Sequence, residues 1–111
     1  MAGTLVTMTG LDEHFALVRA VAQTTELANE LKEHKLETRA FLRTDNVARV
    51  QAWDSSTPAA RTEVYAAPDG DGRWWLWWSS GEQLAPMTDV KEATVLVAEA
   101  VRRNVEQASE N

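Results

Sequence analysis

Apolar residues in the first third of the chain recur at helical spacing. Leu11, Phe15 and Val18 follow one another at intervals of four and three, and Leu17, Val21, Ala28 and Leu31 form an adjoining stripe. The pattern predicts a helix from Leu11 to about Leu36, with Thr9 or Asp12 as its cap. Thr24 and Thr25 fall inside it and mark a kink or a break. Residues 1–10 precede the pattern and are expected to be a flexible or loosely attached N-terminus.

Beyond residue 37 the period shortens to two. Residues 38–43 and 47–53 read as strands joined at Thr44-Asp45-Asn46, where Asp and Asn tolerate tight-turn geometry. A three-residue loop there places Ala40, Leu42, Ala48, Val50 and Ala52 on one face. Arg39, Phe41, Arg43, Val47, Arg49, Gln51 and Trp53 then share the other, whereas a two- or four-residue loop would mix the faces. Residues 54–60 are a polar loop, and a third strand runs from about Arg61 to Ala67. Pro68-Asp69-Gly70-Asp71-Gly72 carries hairpin chemistry and turns the chain into Trp74-Trp75-Leu76-Trp77-Trp78. A short last strand is expected at Glu82–Ala85, stopped by Pro86. Asp89 then caps a C-terminal helix, with Glu92 as its box partner and Val90, Ala93, Val97, Val101 and Val105 as its apolar stripe. Glu99 is placed to pair with Arg102 or Arg103. The order is α+β: an N-terminal helix, a four- to five-stranded antiparallel sheet and a C-terminal helix, in one domain over residues 1–111.

The tryptophan strand carries the strongest functional signal. Side chains alternate along a strand, so Trp74, Leu76 and Trp78 point one way and Trp75 and Trp77 the other. A sheet covered on one side needs large apolar residues on one face only. Something is therefore expected to cover Trp75 and Trp77: a helix, a second copy of the chain, or a partner. Two such rings, about 150–250 Å² each, represent at most roughly 8–12 kcal/mol of burial at about 25 cal/mol per Å².

Charge narrows the partners. The net charge of −6 argues against general nucleic-acid binding, which needs Lys and Arg to neutralise phosphates. Residues 1–37 and 81–111 each carry −3, while residues 38–80 balance five arginines against five acids. Arg39, Arg43 and Arg49 share a predicted face with Phe41 and Trp53. Arginine beside aromatic rings grips carboxylates or phosphates, although arginine stems also simply cover apolar rings. There is no cysteine, no apolar run long enough to span a bilayer and no signal-peptide pattern, which together suit a cytoplasmic protein.

Other chemistry is faint. Asp69-Gly70-Asp71-Gly72 resembles the start of a calcium loop, but its twelfth position is Ser80 rather than a bidentate glutamate. His14 and His34 lie about 30 Å apart on one continuous helix and cannot share a metal there. No nucleophile, acid–base pair or phosphate loop stands out, so no catalytic residue, metal or cofactor is expected.

The stretch from Val64 through Trp74-Trp75-Leu76-Trp77-Trp78 to Glu82 resembles a hairpin common in small uncharacterised actinobacterial proteins. It covers under a fifth of the chain and implies no known activity. The helix–sheet–helix order and acidic surface are also similar to type III secretion chaperone-like domains, which dimerise and hold partner peptides. Those domains insert a helix mid-sheet, and residues 54–60 are too short and polar for one.

The reading that results is a non-enzymatic, chaperone-like interaction module and homodimer. Its Trp/Arg face, with Trp75, Trp77, Trp53, Phe41, Arg39, Arg43 and Arg49, would meet a protein or peptide partner. The alternative is a small-molecule-binding protein with an aromatic pocket between sheet and helices.

Overall fold

The computed structural model describes residues 2–110, with side chains for residues 13–108. Along the chain stand α1 (Ala2–Glu33), β1 (Glu37–Leu42), β2 (Ala48–Trp53), β3 (Thr62–Pro68), β4 (Trp74–Trp78), β5 (Gln83–Pro86) and α2 (Val90–Glu110). The strands form one antiparallel meander in the order β1-β2-β3-β4-β5. This is the α+β helix–sheet–helix arrangement, with five strands.

α1 departs from the sequence pattern in three ways. It starts at Ala2 rather than near Leu11, and runs through Gly10 at the cost of about 1 kcal/mol that a mid-helix glycine carries. It also runs unbroken through Thr24 and Thr25. The buried Thr24 hydroxyl donates to Ala20 O at 2.8 Å, so the polar group is satisfied within the helix. Finally, the buried line is Ala16, Ala20, Thr24, Leu27, Ala28 and Leu31, while Phe15 and Val18 are 60% and 53% exposed. Small side chains face the sheet as far as Thr24, and the large ones, Leu27 and Leu31, follow only in the last turns.

α1 stops in a left-handed cap. Lys35 N–H donates to Lys32 O at 2.9 Å and Leu36 N–H to Leu31 O at 3.3 Å, with Lys35 at φ 64°. This is the Schellman arrangement, in which glycine is the residue of lowest cost. Lys35→Gly is expected to stabilise the fold by about 0.5–1 kcal/mol, read by urea unfolding. A destabilised variant would contradict the cap.

Both helices pack on one face of the sheet. Ala48, Val50, Ala52, Val64, Ala66 and Leu76 from the strands form one core with Leu27 and Leu31 of α1 and Val90, Ala93, Val97 and Val101 of α2. Trp74 and Trp78 pack at its margin. Asp89 caps α2 through its Oδ1, which accepts Glu92 N–H at 3.2 Å. The Asp89 N–H donates to Pro86 O, so only half of the expected box forms. Among the described residues Glu99 makes no ion pair with Arg102 or Arg103. No helix of the described residues is long and apolar enough to cross a membrane.

Candidate functional site

The second face of the sheet carries no helix, and strand register determines what it displays. β1 and β2 pair Leu42 with Ala48 and Phe41 with Arg49, the register of the face-separating loop. The ladder ends one pair short of Arg43 and Val47. Asn46 holds the turn at φ 61°, and Asp45 Oδ1 accepts Val47 N–H at 3.0 Å. Arg49 opposes Tyr65 on β3, and Tyr65 opposes Trp77 on β4. A straight row, Phe41–Arg49–Tyr65–Trp77, thus crosses four strands. Arg39, Gln51 and Glu63 form a second row on the same face.

Trp75 and Trp77 are on this face, and neither α1 nor α2 covers them. The expectation that a helix covers them is corrected, because both helices pack on the opposite face. Both rings are half-buried by their neighbours within the layer. Trp77 stacks on Tyr65 with centroids 6.3 Å apart and planes 8° off parallel, and its Nε1–H donates to Ala67 O at 2.9 Å. Trp75 Nε1–H donates to Asp69 Oδ2 at 2.9 Å. Each ring is thus partly covered within the layer, and its polar edge is satisfied locally.

Asp69 also organises the turn below. Its Oδ1 accepts Asp71 N–H at 2.8 Å and Arg73 N–H at 3.0 Å, and Gly72 sits at φ 79°. The Arg73 N–H, with help from Asp71 and the Trp75 indole, holds the carboxyl below the usual carboxylate range. The calcium-like tetrapeptide is thus a hairpin turn whose carboxylate aims one indole.

The arginines divide into two kinds. Arg49 is engaged: its guanidinium meets Asp45 at 2.9 and 2.7 Å, so it has a carboxylate already. Arg43 stacks on Phe41 at 5.2 Å and reaches Glu63 at 4.0 Å, the outer limit of an ion pair. Arg39 lies over Phe41 at 5.2 Å and Arg61 over Trp53 at 4.0 Å. Among the described residues these two arginines have no carboxylate within ion-pair distance. Arg61 instead donates to Pro58 O and Gln51 Oε1.

The structure therefore places Trp75, Trp77, Trp53, Phe41, Arg39 and Arg43 on one face, with Arg39 and Arg43 gathered on Phe41, and withdraws Arg49 into an internal pair. Tyr65, Arg61 and Asp69 were missed by sequence reasoning. Tyr65 was within reach, because once the hairpin at residues 68–73 is set it must oppose Trp77. Arg61 comes from the loop margin, which periodicity does not place. Both histidines are exposed.

The Arg49 guanidinium, with the Val47 N–H second, pushes the Asp45 carboxyl down to about 2. A folded pKa below the unfolded value stabilises fully above about pH 4 and is lost as pH falls through the folded value. NMR titration should place the Asp45 midpoint near 2, returning toward 3.8 in Arg49→Gln. A wild-type midpoint already near 3.8 would contradict the pairing.

Two clefts border the helix side. One of about 290 Å³ is lined by His34, Leu36, Asp54, Ala98, Val101, Arg102 and Val105, without a Phe, Tyr or Trp ring. The other, about 370 Å³, lies among Glu13, His14, Leu17, Asn46 and Trp74. Among the described residues no cluster of His, Asp or Glu could hold a metal ion. No protein-family model, curated protein or solved structure matches this chain, so its function is argued from the chemistry of this face alone.

Proposed function

We propose that this chain is a non-enzymatic interaction module that holds an extended, acidic peptide segment of a partner on its helix-free sheet face. One observation carries the reading: Arg39 and Arg61 each lie on a ring, Phe41 and Trp53, with no carboxylate of their own. An arginine resting on an aromatic ring keeps its N–H groups for a planar acceptor, as Arg39 does, whereas Arg61 has given two of its N–H groups to Pro58 O and Gln51 Oε1 and offers the rest. The half-buried rings of Tyr65, Trp75 and Trp77 offer contact area beside it at low entropic cost. A segment alternating acidic and apolar residues would match these two kinds of contact.

A peptide array of matched lengths and differing charge tests this. Acidic sequences with interleaved aromatic or aliphatic residues are expected to be retained, and basic ones rejected. Retention that ignores charge would contradict the role given to Arg39 and Arg61. A small-molecule reading rests on the cleft beside Trp74 and predicts instead that Glu13, His14 and Leu17 sense the ligand.

A further inference from the structure

The two edges of the sheet are built differently. β5 is four residues long and ends in Pro86, features that discourage a further strand. β1 is six residues long, contains neither proline nor lysine, and is in unbroken register with β2. Its outer backbone N–H and C=O groups form a template for strand addition. Exposed apolar side chains gather at this same edge. Val21 of α1 lines one groove with Ala40, Phe41 and Leu42, and Phe15 and Val18 continue the stripe along the helix. Among the described residues, Val95 is the remaining exposed large aliphatic or aromatic side chain.

We propose that β1 pairs with β1 of a second copy of this chain, antiparallel about a two-fold axis through Ala40. Two five-stranded sheets then become one continuous sheet with all helices on one side. A two-fold axis normal to the sheet must pass through a residue, because opposed side chains share a face. Two such registers pair five residues of each β1. Centred on Arg39, the pairing sets Arg39 against its own copy and Glu37 against Phe41. Like charges directly opposed are unfavourable.

Centred on Ala40, the pairing puts the smallest side chain on the axis. Arg39 then opposes Phe41 of the second copy, repeating the arginine–ring contact made within one chain. Glu37 opposes Arg43 just beyond the strand, an opposite-charge pair formed twice by symmetry. Thr38 opposes Leu42, which is 47% exposed in the single chain. Charge complementarity thus selects one register. The dimer joins the two helix-free faces side by side, and it stands or fails independently of what those faces bind.

The chain has no cysteine, so single thiols report the register directly. Residues opposed in an antiparallel pair have Cα atoms about 4.5–5.5 Å apart, inside the range a disulfide spans. Ala40→Cys is expected to become a disulfide-linked dimer under mild oxidation. Arg39→Cys, displaced from its copy by two positions, is expected to link much more slowly. Light scattering of the unaltered chain should give twice 12.3 kDa. Glu37→Arg should weaken dimerisation about tenfold, and adding Arg43→Glu should restore it. Far-UV circular dichroism confirms that each variant is folded. A monomer throughout a concentration series, cross-linking at neither position, faster linking at residue 39, or a double variant no better than the single would each overturn the proposal.

Discussion

Leu76→Ala is expected to lower unfolding stability by about 3–5 kcal/mol, the loss that truncating a fully buried leucine brings. Leu76 is fully buried at the centre of β4, facing the helices. Its cross-strand neighbours are Ala66 on β3 and Ala85 on β5, so it is the large side chain of that row. Removing it leaves a cavity that Ala66 and Ala85, its neighbours in the sheet, are too short to fill. Domains of this size hold only about 5–15 kcal/mol in total, so about a fifth or more of the stability is at stake. Val95→Ala, at an exposed position of α2, is expected to stay within about 0.5 kcal/mol. Equal costs for the two variants, measured by urea unfolding, would contradict the core assignment.

Replacing both Trp75 and Trp77 by alanine is expected to abolish retention of acidic peptides while leaving a folded chain. Aromatic residues at the centre of an interface commonly contribute about 2 kcal/mol or more each, roughly thirtyfold in affinity per ring. The fold should survive, because the helix-side core contains neither ring. Some stability is lost with the Tyr65–Trp77 stack and the two indole hydrogen bonds. Trp77→Phe separates these roles, since it can keep a ring over Tyr65 but loses the bond to Ala67 O. Its peptide affinity should fall much less than that of the alanine variant. A folded double variant with unchanged retention would remove Trp75 and Trp77 from the site.

Element order and strand pairing were legible because turn residues and period-two alternation are local signals. The β1–β2 register followed from requiring one clean face, and Ala40, Leu42, Ala48, Val50 and Ala52 do share it. The buried line of α1 was legible only in its last turns, where Ala28 and Leu31 of the expected stripe are buried. Periodicity weighs large apolar residues most, whereas this interface buries Ala16, Ala20 and a self-satisfied Thr24 and leaves Phe15 and Val18 outside. The site was half legible. Alternation put Trp75 and Trp77 on the face opposite Leu76, but no pattern tells that both indoles bond locally. Nor does sequence show which arginines are engaged. Arg49 and Arg39 look equivalent along their strands, and only the turn that brings Asp45 to Arg49 separates them.

The most direct test of the helix-free face follows the five tryptophan indole N–H resonances by NMR during titration with a short extended peptide alternating Glu and Phe. The resonances of Trp53, Trp75 and Trp77 are expected to shift together and saturate, while those of Trp74 and Trp78, packed on the helix side, hold still. Shifts confined to Trp74 and Trp78, or all five unmoved at saturating peptide, would contradict the assignment of this face as the partner site.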